Sequence, residues 1–125
     1  MLDFVGMSTR LRGTVAATSG DEILVAAPSG RVRGRAVGAA LPVGAEVVAA
    51  VRPENVRVGG DGENSLALKV RDLMFLGSKL VLHCDAAEGD QVVAELPATG
   101  AERLAPGDRV TVSWPVSATL IYSAS

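Results

Sequence analysis

The stretch Leu41-Pro-Val-Gly-Ala-Glu-Val-Val48 returns in altered form as Leu104-Ala-Pro-Gly-Asp-Arg-Val-Thr111. An X-Pro break follows each stretch at a similar distance, Arg52-Pro53 in the first case and Trp114-Pro115 in the second. A pattern that occurs twice in the same order along a chain is the sequence signature of a duplicated structural unit. The chain is therefore predicted to contain two diverged copies of one unit, each about half of its length.

A second matching pair, Leu11-Arg-Gly-Thr-Val15 and Leu66-Ala-Leu-Lys-Val70, extends the repeat upstream. The two copies then span roughly residues 8–58 and 63–122. A unit of that size would bury too little surface to fold well by itself. We therefore expect residues 1–125 to form a single domain in which both copies close over a shared apolar interior.

Strand signals dominate the chain. The clearest lies at 108–114, where Val110, Val112 and Trp114 share one face and polar residues occupy the other. Glycine-containing turns separate the segments, and no long helical stripe of period 3.6 competes with them. Many short strands at regular spacing predict an all-β body that is closed or nearly closed, with few or no helices. Strands are predicted at 11–17, 22–27, 31–36, 46–51, 55–58, 66–73, 78–85, 91–96, 108–114 and 119–122.

One predicted strand changes character along its length. The alternation that begins at Leu66 breaks at Asp72, and the next four residues, 73–76, are all apolar before Gly77. A break of this kind predicts a β-bulge or a sharp bend, which barrels use to turn corners.

A basic row alternates with small and apolar residues in another strand. Arg31, Arg33 and Arg35 are each separated by one residue within the segment that starts at Gly30. The segment is rich in glycine, but it lacks the Lys-Ser/Thr pair of a phosphate-binding loop and reads as a strand. A charged edge strand, protected against pairing with other chains, is the favoured interpretation.

The composition excludes several classes of partner. Of the 125 residues, 48% are hydrophobic and 3% aromatic, and the formal net charge is −2. A chain with this charge lacks the positive field that steers nucleic acids, so no nucleic-acid partner is expected. No apolar stretch approaches the ~18 residues that cross a bilayer, so direct membrane insertion is not expected either.

The reactive side chains do not form a catalytic or metal-binding pattern. His83 and Cys84 are the only residues of their types, and adjacent strand residues face opposite sides. No Ser/His/Asp spacing suits nucleophilic catalysis. The sequence therefore predicts no catalytic residue, no metal ligand and no cofactor-binding residue in this chain.

Arg52-Pro53-Glu54 forms the most compact polar group in the chain. Pro53 stops the preceding strand, so Arg52 and Glu54 flank a rigid corner. Two interpretations remain open: a structural salt bridge at the corner, or a contact of Arg52 and Glu54 with another domain or subunit.

Three motifs follow one another along the chain: Val51-Arg-Pro-Glu-Asn-Val56, Phe75-Leu-Gly-Ser78 and Pro106-Gly-Asp-Arg-Val-Thr-Val-Ser-Trp114. Together they resemble the C-terminal TOBE domain (transport-associated OB-type domain) of ATP-binding subunits in bacterial ABC importers, in the polyamine, iron and maltose branch. The resemblance runs from about Phe4 to Tyr122.

The resemblance implies an OB-like β barrel built from two diverged repeats, with residues 1–7 as a remnant of the segment that leads out of an ATPase domain. It implies a non-catalytic regulatory and dimerisation domain. The residues that bind ATP and magnesium would lie in a separate ATPase domain of the parent subunit. The implied partners are the same domain of a sister subunit and, through the ATPase domain, two permease subunits. The implied location is peripheral, on the cytoplasmic face of the membrane.

A second reading follows from related molybdate-binding barrels, which use a similar repeat to hold an oxyanion. Thr9-Arg10-Leu11 and Asn64-Ser65-Leu66 lie where such a loop would be expected. Thr9, Arg10 and Ser65, with backbone amides, would then form a ligand loop, since anions favour cations and clustered N–H groups. The alternative function is a small-ligand or oxyanion sensor that inhibits transport.

Overall fold

The computed structural model describes residues 9–38, 41–60, 62–97 and 104–124, apart from the side chain of Glu88. The segment 1–7, interpreted above as a remnant, lies outside these residues. Three single 3-10 turns (Pro53–Asn55, Ala87–Gly89 and Val116–Ala118) are the only helical segments in the described part, and none could cross a membrane. The strands are β1 (Leu11–Ser19), β2 (Glu22–Ala27), β3 (Gly30–Ala36), β4 (Glu46–Val51), β5 (Arg57–Val58), β6 (Asn64–Leu76), β7 (Lys79–Asp85), β8 (Gln91–Pro97), β9 (Arg109–Trp114) and β10 (Thr119–Ser123).

The strands form two five-stranded units. The first is a closed barrel in the order β1-β2-β3-β10-β4, and the second is a sheet in the order β5-β9-β6-β7-β8. Each run of four strands is followed by a fifth that joins the other unit: β5 pairs with β9, and β10 pairs with β4 and β3. The predicted all-β, OB-like fold of two repeats is confirmed, and the repeats exchange their last strands.

The exchange begins at the two X-Pro breaks. Pro53 is the first residue of a 3-10 turn that separates β4 from β5, and Pro115 is the N-cap of the turn that separates β9 from β10. Because proline has no N–H and a fixed φ, it ends the ladder and redirects the chain. These short turns therefore carry the fifth strand of each repeat across to the other unit.

The inward faces of both units merge into one apolar cluster. Val25 and Val32 of the barrel, and Cys84, Val112 and Trp114 of the sheet, belong to it and are at most 1% exposed. Aliphatic side chains supply most of this cluster, so its stability comes from many close contacts between small groups. Ile121 of β10, which is 0% exposed, belongs to the same cluster, so the exchanged strand also contributes to the core.

Two strand predictions have definite outcomes. The predicted bulge is confirmed, because the register of β6 against β7 shifts between Val70 and Asp72. The edge-strand interpretation of Arg31–Ala36 is wrong. β3 pairs with β2 along its length and with β10 at Arg35 and Ala36, so the barrel is closed on that side. The closing strand is more than 80 residues downstream, beyond the reach of any local pattern.

Candidate functional site

Two equivalent side chains join the units at the start of each repeat. Thr9 and Asn64 each lie two residues before the matched leucines of the repeats. The Val93 N–H donates to Thr9 Oγ1 at 3.0 Å, and the Arg33 N–H donates to Asn64 Oδ1 at 2.8 Å. In each case a side chain from one repeat binds the third strand of the other. The duplication is therefore visible at the level of single hydrogen bonds.

Asn64 makes the more extensive of these two junctions. Its side-chain amide also donates to Arg33 O at 2.8 Å and to Thr119 Oγ1 at 3.1 Å. The Thr119 hydroxyl in turn donates to Pro115 O at 2.9 Å. Asn64 is only 2% exposed, so losing any of these partners would leave a polar group without water to replace it. The network fixes β3, β6 and β10 to one another.

A buried carboxylate binds the first strand near the Thr9 junction. Asp90 Oδ2 accepts from the Arg12 N–H at 3.0 Å, and Asp90 Oδ1 accepts from Arg12 Nε at 3.1 Å. The Asp90 side chain is 4% exposed, whereas that of Arg12 is 68% exposed. The pair lines a cavity of about 630 Å³ together with Thr14 and Glu46. Since two carboxylates line this cavity beside one guanidinium, its charge does not favour an anion.

The residues of the predicted ligand loop lie in different surroundings. Thr9 is fully buried, and its hydroxyl oxygen is already engaged by Val93. Arg10 is exposed, its backbone pairs with Gln91, and it lines a cavity of about 440 Å³. Ser65 is exposed on β6, where it lies opposite Ser113 of β9. Thr9 and Arg10 therefore adjoin β8, whereas Ser65 lies between other strands.

The corner residues Arg52 and Glu54 are both exposed. Arg52 O accepts a hydrogen bond from the Asn55 N–H at 3.0 Å, which closes the 3-10 turn. Among the described residues, Arg52 and Glu54 form no ion pair with each other. Glu54 lines a cavity of about 400 Å³ with Arg57 and Trp114. Both charged groups of the corner are thus available to a partner.

The thiol of the single cysteine, Cys84, has low reactivity. Burial, followed by the nearby charge of Asp85, raises the pKa of the Cys84 thiol to about 11. A thiol with that pKa is almost entirely protonated at neutral pH, and the thiolate is the reactive form. In the described part of the chain, no group of three His, Cys, Asp or Glu side chains could hold a metal ion.

An exposed apolar tip lies at the end of the β6–β7 ribbon. Met74, Phe75 and Leu76 are 48, 59 and 54% exposed, and Gly77 follows them at the turn with a φ of 65°. On a soluble protein, a contiguous patch of exposed apolar side chains often marks a surface that binds another molecule. The apolar run at 73–76 predicts a β-bulge or a sharp bend, and the structure shows in addition that its last three residues are exposed.

The comparisons with known proteins identify the family. The TOBE domain model matches residues 49–121, and the chain belongs to this family, as its motifs predicted. A similar curated protein is the spermidine/putrescine import ATP-binding protein PotA of Rubrobacter xylanophilus. It is 37% identical over 122 residues, which cover 95% of this chain and 32% of that protein. The chain thus spans about a third of the length of this relative.

A solved structure shares the fold. It is the cytoplasmic molybdate-binding protein ModG with molybdate bound, which superimposes with a TM-score of 0.76. The match covers 90% of this chain and 93% of that chain at 18% sequence identity. At this identity the similarity concerns the arrangement of strands.

Proposed function

We propose that this chain is a non-catalytic regulatory and dimerisation domain of the ATP-binding subunit of an ABC importer. Membership of the TOBE family and the similarity to an import ATP-binding protein support this proposal. ATP and magnesium would bind in the ATPase domain of the parent subunit, which would couple hydrolysis to solute uptake. The parent would lie on the cytoplasmic face of the membrane, in contact with its permease subunits.

The observation that carries the proposal is the exposed apolar tip at Met74, Phe75 and Leu76. A rigid β body with such a tip can bind the same domain of a sister subunit in a two-fold contact. A weak contact suffices, because it acts between subunits that already share one complex. The domains would then keep the two ATPase modules close after nucleotide leaves.

The exposed corner at Arg52 and Glu54 is the second proposed part of the dimer contact. Two opposite charges at one rigid corner can meet their counterparts across a two-fold axis, Arg52 to Glu54 and Glu54 to Arg52. Such pairs at the rim of an interface would contribute specificity more than affinity.

Sedimentation velocity of the isolated chain over a range of concentrations tests the contact. We expect weak, concentration-dependent dimers that Phe75→Ser abolishes and that the pair Arg52→Ala and Glu54→Ala weakens. Val43→Ser is a matched control, because Val43 is 65% exposed and outside both surfaces. A chain that stays monomeric at millimolar concentration, or variants that all behave like Val43→Ser, would contradict the proposed dimer.

A ligand-sensing function is the second candidate. The shared fold with a molybdate-binding protein supports it, as does the exposed Arg10 beside a cavity of about 440 Å³. Of the predicted loop residues Thr9, Arg10 and Ser65, only Arg10 lines this cavity, so an oxyanion or small solute would bind beside Arg10 and inhibit transport. Calorimetry with molybdate, tungstate, sulfate and polyamines tests it, and the absence of heat for all four would eliminate the sensor.

A further inference from the structure

A row of three arginines lies on the outer face of the barrel. Arg31, Arg33 and Arg35 occupy alternate positions of β3 and are all exposed. None of them forms an ion pair with the described residues. The ion pairs among the described residues are Arg12–Asp90, Arg71–Asp85 and Lys79–Glu95.

The duplication provides an internal control for this row. Val25 pairs with Val32 inside the barrel as Cys84 pairs with Val92 inside the sheet, so β3 and β8 are equivalent strands. The hydrogen bonds of Asn64 to the Arg33 N–H and of Thr9 to the Val93 N–H give the same alignment. In β8, the positions equivalent to the three arginines hold Gln91, Val93 and Glu95, in that order. The fold itself does not require arginine at these positions.

The charge of the neighbouring side chains differs between the two ends of the row. Across the β2–β3 ladder, Arg31 lies opposite Ala26 and Arg33 opposite Leu24, both uncharged, whereas Arg35 lies opposite Glu22. The positive charge is therefore strongest at the Arg31 and Arg33 end. A chain of net charge −2 keeps uncompensated positive charge at this place, which points to a negatively charged partner.

We infer that the row of Arg31, Arg33 and Arg35 docks an extended acidic segment of a partner protein, with carboxylates at alternate positions. Side chains on one face of a strand recur about every 6.6 Å, and alternate side chains of an extended segment recur at the same interval. The guanidinium groups of Arg31 and Arg33 can then each bind one carboxylate, in the geometry that arginine favours, whereas Arg35 lies beside Asp21, Glu22 and Glu63 at the end of the row. This inference goes beyond the proposed function and does not depend on it.

Other anionic partners fit the row less well. A membrane presents a plane of charge, whereas these arginines form a single line that ends beside Glu22. Binding of single-stranded nucleic acid relies on aromatic stacking, and the strand neighbours opposite the row are Ala26, Leu24 and Glu22.

Fluorescence anisotropy tests the inference, with a labelled peptide in which glutamate and threonine alternate. We expect saturable binding that weakens as ionic strength rises. The pair Arg31→Gln and Arg33→Gln should weaken binding about tenfold, the effect of losing two partly screened ion pairs. The pair Arg57→Gln and Arg109→Gln removes the same charge from exposed positions elsewhere, and should change binding by less than about twofold.

Three outcomes would overturn the inference. The first is the absence of saturable binding to the peptide. The second is an equal loss in both double variants, which would indicate a response to net charge alone. The third is tighter binding to phosphatidylserine vesicles or to an oligothymidylate than to the peptide, which would assign the row to a lipid surface or to nucleic acid. Circular dichroism of each variant establishes that its fold is retained.

Discussion

Asn64 shows how one side chain can hold two repeats together. Its amide binds both the N–H and the C=O of Arg33, and so takes the place of a neighbouring strand at a position where β10 does not reach. It then reaches Thr119 of that same exchanged strand. Thr9 performs the equivalent role with one hydrogen bond, to Val93. The two junctions are related by the duplication but differ in strength.

The substitution Asn64→Ala should be strongly destabilising. It removes three hydrogen bonds and leaves the N–H and C=O of Arg33 without the Asn64 side chain, which we expect to cost about 2–4 kcal/mol in the free energy of unfolding. Urea denaturation measures the change. Ser65→Ala is the control, because Ser65 is exposed and should stay within about 0.5 kcal/mol of the parent. A loss below about 1 kcal/mol for Asn64→Ala would contradict this assignment.

Cys84 predicts a dependence of stability on alkaline pH. Burial raises the pKa of the Cys84 thiol to about 11 in the folded chain, from 9.0 for an unperturbed thiol. Because the pKa is higher in the folded chain, the neutral thiol contributes to the free energy of unfolding. This contribution is complete below pH 9 and is lost as the pH rises towards 11. The free energy of unfolding should therefore fall by up to about 2–3 kcal/mol relative to Cys84→Ala across this range.

Denaturation curves for the parent chain and Cys84→Ala at several pH values measure this difference. The variant has lower stability throughout because of the cavity it creates, so only the slope with pH matters. Parallel slopes for the two proteins would show that Cys84 does not titrate in this way.

At the scale of single elements, Gly34 permits the barrel to close. A Cβ atom at this position would lie 2.8 Å from Thr119 O and 2.8 Å from Ile121 Cδ1, both in the exchanged strand β10. Contacts this short force the strands apart or the backbone to shift. The parallel pairing of β3 with β10 therefore depends on a residue without a side chain in the middle of β3.

The substitution Gly34→Ala should destabilise the chain by about 1–3 kcal/mol through this overpacking. Thermal unfolding followed by circular dichroism measures it. Gly60→Ala is the control, since its Cβ would meet atoms only at 3.7 Å and the residue is not at a positive φ. Equal melting temperatures for Gly34→Ala and the parent would contradict the close approach of β3 and β10.

Local patterns in the sequence predict where the strands lie, but they do not predict which strands pair with one another. Alternation placed β2 and β4 at their observed bounds, and the break at Asp72 predicted the bulge of β6. Pairing of β3 with β10 joins residues far apart in sequence, so no local pattern predicts it. For the same reason Asn64 and Asp90 were not recognised as junction residues, since their partners belong to the other repeat or to a distant strand.

Of the two candidate interaction surfaces, one could be predicted from the sequence and the other could not. The corner at Arg52 and Glu54 was recognisable because proline makes it rigid, and the structure leaves both side chains exposed. The apolar tip at Phe75 was not, because an apolar run predicts burial and only the structure shows that the β6–β7 ribbon extends past the core. Whether a residue is covered depends on the ends of neighbouring strands, which the run itself does not encode.

At the scale of the whole molecule, the repeats interlock by exchanging their last strands, and this interlock gives the rigid body on which the proposed functions rest. Cross-strand nuclear Overhauser effects measure the exchange directly. We expect contacts of Tyr122 with Val48 and of Arg57 with Ser113, across the β10–β4 and β5–β9 pairs. Contacts of β5 with β4 and of β10 with β9, each strand folded back within its own repeat, would contradict it.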